Sequence, residues 1–413
     1  MGEAVKKATG KIPLSFLSLA LLAGVILRLS FPGDIEYKAD EKYMFEAARE
    51  IGVTGTWPAL GMVSGVKVKN PGMSVWIFAV LSKITRASTP PELARAVQLL
   101  NILALFVLAF FSLRILPEPE RLSWCWATAL AAVNPFAVLF HRKIWAQSTL
   151  PFFCVLLWIA WHYRAKRTGA FFWGLIGIGL GQIHMSGFFL AAGLFLWTLL
   201  QDRRARWGSW FLGSLVGAIP LIPWLRYMVA EPSNGFKSMS LMWLLKTNYW
   251  FFWVTDSLGT GLVYSLKTRM FLDFLRYPLL GGTATYLVGL FHVLVILTGI
   301  LILVSAQKAG GLFRRKAEPS ETGLALNSVF WASGVLMTLT GLEVCRHYLI
   351  MSFPFEWVWL SRLGLRDPRW GQRDLAAIWM GQLLITISFL VYIHLNHGAS
   401  TGDYGIAYQF QPQ

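Results

Sequence analysis

Long apolar stretches recur along the whole chain, and they constrain the fold more than any other feature of the sequence. A helix needs about 20 apolar residues to cross the hydrocarbon core of a membrane. We predict nine membrane-spanning helices, at 12–30, 96–113, 122–140, 149–163, 208–228, 283–304, 325–342, 347–361 and 375–394. Only 14% of the 413 residues are charged, against about 25% in soluble domains. The sequence therefore predicts an all-α polytopic protein, with 1–413 forming a single integral membrane domain.

The net charge of +16 has a simpler explanation in a membrane protein than in a nucleic-acid-binding one. Most Lys and Arg residues lie in short loops between apolar stretches, where they orient the helices and contact lipid headgroups. We therefore expect membrane lipids as partners and no nucleic acid.

The basic loops predict which side of the membrane each connection faces. The positive-inside rule assigns such loops to the cytoplasm, and they are 1–11, 162–168, 201–206, 306–316 and 362–373. Because the apolar segment 170–200 has a cytoplasmic loop at each end, it must enter and return. We predict a hairpin of two short helices that turns near Gln182, His184 and Ser186. Gly177 and Gly181 within it indicate close helix packing.

The same topology gathers the polar segments on the non-cytoplasmic face of a plasma or inner membrane. The first external loop, 31–95, combines an acidic helix with the short apolar segment 72–82, which we expect to be interfacial or re-entrant. A long aromatic loop, 229–282, is expected to contain interfacial helices. Three further segments are placed outside, at 141–148, 343–348 and 395–413. We therefore expect the active site to lie on this face.

Acidic residues are concentrated just after the first apolar stretch. Of the 21 acidic residues, those within this segment are Asp34, Glu36, Asp40, Glu41, Glu46 and Glu50. Asp40 can cap a helix and Glu41 can lie in its first turn, where the helix dipole favours acids. The alternative is that a carboxylate held near the bilayer deprotonates a hydroxyl or amine. Asp34 is a candidate second polar contact.

Cationic and polar residues at the other external segments offer a phosphate site. Arg142, near His141 and Gln147, either extends to lipid headgroups or binds phosphate. Arg346 interrupts an apolar run, so it either pairs with Glu343 at i+3 spacing or acts in a site. His184 either bonds backbone groups released by its turn or contacts substrate.

The sequence lacks the motifs typical of nucleotide binding, of serine hydrolases and of metal sites. We find no Gly-rich phosphate loop, no Ser/His/Asp arrangement and no cluster with metal-ligand spacing. We therefore expect no cofactor, and a divalent metal has no support. Nucleotide hydrolysis is therefore disfavoured, and we expect the donor substrate to be already activated when it binds.

The order of the external motifs resembles that of the GT-C superfamily of membrane glycosyltransferases, especially protein mannosyltransferase-like and aminoarabinose-transferase-like members. An acidic pair, Asp40-Glu41, follows the first span, and "NPGMSVWIFAVL" (70–81) opens a short apolar helix. An R-x-x-x-x-Q motif from Arg142 to Gln147 comes next, and an R-x-Y motif, Arg346 to Tyr348, precedes a proline. Many relatives carry His-Pro-Pro where this chain has Asn-Pro-Gly at 70–72.

The resemblance implies a GT-C-like bundle and an inverting transfer of a hexosyl or pentosyl group. The donor would be a sugar linked to polyprenyl phosphate, and the acceptor a glycan, lipid or protein. Asp40 would act as the base with Glu41 beside it, while Arg346 and Arg142 would bind the carrier phosphate. Asp34, Gln147, Tyr348 and His184 complete the predicted substrate contacts. A flippase for lipid-linked sugars and a non-catalytic protein that binds them are the alternatives.

Overall fold

The structure is a computed structural model of the protein, and it describes residues 12–65, 67–231, 240–310 and 320–412. Helices make up most of this part of the chain, and small two-stranded antiparallel sheets occur in its connections. The predicted cytoplasmic segment 1–11 and part of the 306–316 loop lie outside the described residues. The fold is mainly α-helical, as predicted.

The first part of the chain builds the acidic segment and its supports. Its elements are α1 (Leu14–Leu29), α2 (Ala39–Thr54), β1 (Leu60–Val63), β2 (Lys69–Pro71), α3 (Met73–Thr85) and α4 (Pro90–Phe110), which continues as a π-helical turn over Phe111–Ile115. α4 begins where Glu92 accepts the backbone N–H groups of Ser88 and Thr89, at 2.7 and 3.0 Å. These bonds satisfy amides that a helix start leaves unpaired. α3 packs against α2, α4 and the later helix Arg167–Ile183.

The predicted span 122–140 is wrong as a single helix. It divides into α5 (Glu118–Val133) and α6 (Pro135–Phe140), and the 3₁₀ turn Ala146–Thr149 leads on to α7 (Leu150–His162). Pro135 lacks an amide hydrogen and disfavours helical geometry at Asn134, whose ψ is 127°. The Asn134 side chain then accepts the amide of Ala137 at 3.0 Å and so caps α6.

The long apolar segment 170–200 forms two helices, as predicted. They are α8 (Arg167–Ile183) and α9 (Ser186–Gln201), and His184 lies in the turn between them. A Cβ added at Gly181 would overlap the Phe188 ring, and one at Gly177 would lie 3.4 Å from Ala191. The glycine spacing therefore permits close packing of α8 on α9, which agrees with the sequence interpretation. α10 (Trp207–Ala218), a 3₁₀ turn (Ile219–Leu221) and α11 (Ile222–Ala230) follow.

The described part of the loop predicted at 229–282 is largely helical and partly buried. It contains α12 (Leu241–Leu244), α13 (Asn248–Ser257), α14 (Val263–Phe274) and the short strand β3 (Leu279–Leu280), which pairs with β4 (Thr283–Ala284). Tyr249 and Trp253 of α13 are fully buried, because α13 packs against the later helix Phe355–Gly364. This helix is therefore part of the bundle rather than an isolated surface helix. α15 (Leu287–Lys308) completes this part of the chain.

The predicted span 347–361 is also wrong as a single helix. A 3₁₀ helix (Arg346–Ser352) precedes α18 (Phe355–Gly364), and Phe353 and Pro354 separate them. The other elements here are α16 (Glu321–Asn327), a π-helical turn (Ser328–Ser333), α17 (Gly334–Leu339), α19 (Gly371–Leu395), β5 (Gly398–Ala399), β6 (Gly405–Ile406) and a 3₁₀ turn (Tyr408–Phe410).

Fewer helices than we predicted are long and apolar enough to cross a membrane. In the described residues, five helices are long and apolar enough to cross a membrane: Pro90–Ile115, Trp207–Ala230, Leu287–Lys308, Glu321–Leu339 and Gly371–Leu395. The count of nine is not confirmed. Shorter apolar helices stand at Leu14–Leu29, Met73–Thr85 and Ser186–Gln201. The helix α5 is buried from Ser123 to Val133, and it packs against α1, α4, α18 and α19 at the centre of the bundle.

Candidate active site

Asp40 is held at the start of α2 without being its cap. The helix begins at Ala39, and the residue at its N-cap position is Lys38. Asp40 is half-buried, and its Oδ2 accepts a hydrogen bond of 3.0 Å from Trp145 Nε1. Among the described residues, no cation lies within ion-pair distance of this carboxylate. The capping role that we considered for Asp40 is therefore wrong, and its second oxygen is left for another partner.

Glu41 caps the start of α2 instead. Its side chain is only 1% exposed, and Oε2 accepts the backbone N–H of Lys38 at 3.0 Å. Oε1 lies 3.4 Å from the ammonium of Lys143. Both oxygens therefore have protein partners, and Asp40 is the more accessible member of the acidic pair.

Lys143 connects the acidic segment to the α6–α7 connection. Its Nζ lies 2.9 Å from Glu36 as well as 3.4 Å from Glu41, and Glu36 also pairs with Lys38 at 2.7 Å. Burial by itself would lower the pKa of Lys143, but the two glutamates raise that pKa above its ordinary value. Burial raises the pKa of Glu36, and the neighbouring lysines oppose this shift. Glu36 and Lys143 thus lie beside the predicted site residue Glu41, and the sequence interpretation did not single them out.

An aromatic cluster extends the site from Asp40 towards the α8–α9 turn. The Trp145 ring lies beside the His347 ring, with centroids 4.8 Å apart. Tyr264 Oη is 3.0 Å from His347 Nδ1, and the Tyr348 ring is 4.7 Å from that of His347. The structure therefore brings the predicted Asp40 and Tyr348 near one another through two residues, Trp145 and His347, that the motifs did not single out.

His184 joins this cluster but also stabilises its own turn. Its ring lies 5.5 Å from the Tyr348 ring. Its Nδ1 is 2.8 Å from Ser186 Oγ and accepts the Ser186 amide at 3.3 Å. The turn-stabilising role considered from the sequence is thus present. The ring edge towards Tyr348 can still contact a ligand.

Gln147 lies on the short 3₁₀ turn that follows Trp145. The residue is 6% exposed. Among the described residues, its side-chain amide makes no hydrogen bond. The neighbouring Ser148 carbonyl accepts from Asn101 at 2.8 Å, which anchors this turn to α4. A rigid backbone with an uncommitted amide suits the predicted contact with substrate.

Arg142 turns into the protein rather than out to the headgroups. Its Nη1 donates to the carbonyls of Leu27 and Ser30 at 2.9 and 2.7 Å, and Nη2 donates to Phe31 at 3.0 Å. These carbonyls lie at the end of α1, where a helix leaves acceptors unpaired. Arg142 therefore fastens α1, and neither the extension to headgroups nor an unobstructed phosphate site agrees with this geometry.

Asp34 is bound by the C-terminal part of the chain. Its Oδ2 is 2.8 Å from His394 Nδ1, and its Oδ1 accepts from Gln409. The Tyr404 hydroxyl donates to its backbone carbonyl. Because both carboxylate oxygens are engaged and the residue is buried, the structure places Asp34 as an anchor for the α1–α2 connection, not at an open surface.

Arg346 pairs with a residue that we did not predict. Its Nη1 contacts Asp256 Oδ1 and donates to Thr255 Oγ1 at 2.9 Å. Glu343, the partner considered from the i+3 spacing, is instead exposed. Among the described residues, Nη1 makes all the hydrogen bonds of this guanidinium, so Nε and Nη2 remain available. The guanidinium also lies 4.6 Å from the Phe252 ring centre.

A second carboxylate lies close to this ion pair. Asp256 and Glu356 line one cavity together with His141, and the remaining lining residues are apolar: Phe136, Ala137, Phe140, Leu349, Ile350, Phe353 and Trp357. Burial raises the pKa of Asp256 to about 7, and Arg346 opposes this shift. The fold thus gathers ionisable groups from distant parts of the sequence.

Metal ligands are a separate question. In the part of the chain that the structure describes, no group of three or more His, Cys, Asp or Glu residues is arranged to hold a metal ion.

Comparisons with known proteins find similarity in solved structures alone. No protein-family model matches the chain, and no curated protein matches it. The apo structure of ArnT from Cupriavidus metallidurans is 16% identical, with a TM-score of 0.46, and the match covers 92% of this chain and 76% of that one. ArnT bound to undecaprenyl phosphate is 14% identical, with the same coverage and a TM-score of 0.43.

An archaeal structure is similar at the same level. The apo oligosaccharyltransferase from Archaeoglobus fulgidus is 13% identical, with a TM-score of 0.47. The match covers 96% of this chain and 55% of that one, so this chain spans about half the length of that enzyme.

Proposed function

We propose that this protein is an inverting glycosyltransferase of the GT-C type in the cell envelope. It would move a sugar from a polyprenyl-phosphate-linked donor to a glycan, lipid or protein acceptor at the non-cytoplasmic face. The order of the external motifs supports the proposal, because an acidic helix, an R-x-x-x-x-Q motif and an R-x-Y motif follow one another as in that superfamily.

One observation carries the catalytic assignment. Asp40 is a half-buried carboxylate that accepts one hydrogen bond from the neutral indole of Trp145. Among the described residues it has no cationic partner, whereas Glu36 and Glu41 are paired with lysines. A general base needs a lone pair that is free to receive a proton, and Asp40 meets this requirement better than its acidic neighbours.

In the proposed reaction, Asp40 takes a proton from the acceptor hydroxyl or amine. The acceptor atom then forms a bond to the anomeric carbon while the bond from that carbon to the phosphate oxygen breaks. The bonding electrons leave with the carrier phosphate, and the configuration inverts. Arg346 would stabilise the departing phosphate through Nε and Nη2, the donors that its pairing with Asp256 leaves free.

The remaining predicted residues have different roles in this proposal. Gln147, Tyr348 and His184 would contact the substrates, because each has a polar atom or ring edge in or near the aromatic cluster. Glu41, Asp34 and Arg142 would act indirectly, because they hold the α1–α2 connection in place. Sugar and acceptor would bind near Trp145, between the acidic helix and the R-x-Y segment.

The decisive experiment compares wild type with Asp40→Asn in detergent. Purified protein is incubated with detergent-solubilised membranes of host cells that lack it, which supply donor lipids together with lipid, glycan and protein acceptors, and the carrier freed of its sugar is measured by mass spectrometry. We expect Asp40→Asn to lower the initial rate by about 10²–10⁴-fold while the melting temperature stays the same. Glu50→Gln, on an exposed position of the same helix, is the matched control.

Detergent also separates the proposal from its alternatives. A flippase moves its cargo between two sides of a membrane, and a micelle has no sides, so flippase activity cannot release the sugar. A binding protein leaves the lipid-linked sugar intact. Unchanged lipid-linked sugar after incubation with folded wild-type protein would reject the enzyme assignment, and normal turnover by Asp40→Asn would remove Asp40 from the mechanism.

A further inference from the structure

One buried carboxylate oxygen lacks a partner. Asp256 is 5% exposed, and its Oδ1 is engaged by Arg346. Among the described residues, its other oxygen, Oδ2, is buried without a hydrogen-bond partner. Leaving a buried acceptor unsatisfied is costly, so this oxygen requires a proton or a donor in at least one state of the protein.

A second buried carboxylate shares the cavity with Asp256. Glu356 is 6% exposed, and Ser352 Oγ donates to its Oε2 at 3.0 Å. Within the described part of the chain, no cation lies within ion-pair distance of Glu356. Two carboxylates in one apolar cavity cannot both be charged without a large cost. With one arginine present, the group is electrically neutral when it holds one proton.

The other ionisable groups that face this pair come from several elements. Arg346 lies on the 3₁₀ helix, Tyr249 on α13 and Cys154 on α7. His141 lies after α6, and its Nδ1 faces Arg28 Nε at 3.0 Å. Since arginine can only donate, His141 Nδ1 is the acceptor and the ring is neutral with its hydrogen on Nε2. The positive charge in contact with Asp256 is that of Arg346.

We propose that Asp256 and Glu356 form a proton-binding pair that is linked to phosphate binding at Arg346. This inference rests on the proposed function, in which Arg346 binds the carrier phosphate. When the phosphate binds Nε and Nη2, its negative charge offsets the positive charge of the guanidinium, so Asp256 loses its counter-charge beside Glu356. Asp256 then takes up one proton from water, so the bound state contains the Arg346–phosphate pair and two neutral carboxyl groups.

Asp256 would thus take the place of the phosphate as the anionic partner of Arg346 when no phosphate is bound. Asp256 keeps the arginine oriented when no phosphate is bound, and its protonation removes a negative charge that would repel the phosphate. Proton uptake and phosphate binding must then favour each other by the same factor, because linkage is reciprocal. For uptake of one proton, the affinity for phosphate falls up to tenfold for each unit of pH above neutrality.

The test counts protons during binding of a defined probe. The probe is a short-chain polyprenyl methyl phosphodiester, whose single charge does not titrate near neutral pH. A monoester is unsuitable because its second pKa of about 6 would contribute protons of its own. Isothermal titration calorimetry of the full-length protein at about pH 8, in two buffers with different ionisation enthalpies, gives the number of protons bound for each probe molecule.

We expect the wild type to take up close to one proton. Asp256→Asn should take up none and bind the probe about tenfold more tightly, because Arg346 no longer has a charged competitor. Arg346→Ala should lose at least tenfold in affinity. Glu46→Gln, an exposed carboxylate on α2, is the control and should behave like the wild type.

The outcomes separate the two proposals. Binding that depends on Arg346 but takes up no proton in the wild type overturns the proton linkage and leaves the proposed function intact. Binding that Arg346→Ala does not weaken overturns the phosphate role of Arg346, and the linkage with it. The wild-type proton count decides the matter even if Asp256→Asn does not fold.

Discussion

Trp145 Nε1 donates a hydrogen bond of 3.0 Å to Asp40 Oδ2, and so joins the α6–α7 connection to the acidic helix. The same indole ring lies 4.1 Å from the ammonium of Lys143. Trp145 therefore contacts both Asp40, the proposed base, and Lys143, which pairs with the buried Glu36 and Glu41. Among the described residues, this hydrogen bond is the one that orients the Asp40 carboxylate.

Trp145→Phe should lower the rate of sugar transfer about tenfold. The ring is kept, but the N–H that orients the carboxylate is lost, and a hydrogen bond to a charged group contributes about 1.5–3 kcal/mol. Initial rates and melting temperatures are the measurements. Trp370→Phe, an exposed tryptophan before α19, is the control. A rate equal to that of the wild type would show that Trp145 does not position the base.

Lys143→Met should destabilise the protein rather than alter its chemistry. The substitution leaves Glu36 and Glu41 buried without their shared cation, and breaking a buried ion pair costs about 3–5 kcal/mol. We expect a lower melting temperature, part of which returns in the double variant Lys143→Met with Glu36→Gln. Lys42→Met changes an exposed lysine and should have little effect. An unchanged melting temperature with lost transfer would instead place Lys143 in the reaction.

Stability should depend on pH through Asp256. Burial raises its pKa to about 7, whereas an aspartate in an unfolded chain has a pKa of about 3.9. A raised pKa favours the protonated folded state, so this stabilisation is complete below about pH 4 and is lost as the pH rises to about 7. The melting temperature should therefore fall more steeply between about pH 5 and 7 in the wild type than in Asp256→Asn. A steeper fall in the variant would contradict the assignment.

Cysteine labelling should test the predicted topology. With the half-buried Cys345 replaced by serine, Arg203→Cys and Lys246→Cys introduce thiols at exposed positions. An impermeant thiol reagent added to intact cells should label position 246 and not position 203, because 201–206 is a basic loop. Because α8 and α9 form a hairpin, labelling of position 203 from outside would place the basic loops at both of its ends outside. The sidedness of the proposed active site would then be reversed.

Much of the helical organisation could be predicted from the sequence because hydropathy is a local property. The long apolar segment 170–200 exceeds one span and has basic loops at each end, and two helices are found there. The acidic segment has helical periodicity, and α2 is found there. The spans 122–140 and 347–361 were less predictable, because short helices that are wholly inside a bundle are as apolar as membrane-spanning ones.

The roles of the charged residues depended on the tertiary structure. Arg142 lies more than 100 positions from the carbonyls that it binds, and Arg346 lies 90 positions from Asp256. From the sequence, Arg346 could be matched only with a nearby carboxylate such as Glu343. Packing brings α13 against the 3₁₀ helix at Arg346, and a buried guanidinium takes the carboxylate that is nearest in space. The sequence alone thus determined which segments are helical and where acidic and basic residues are concentrated, whereas the tertiary structure decided which of those charges neutralise one another and which remain open to a substrate.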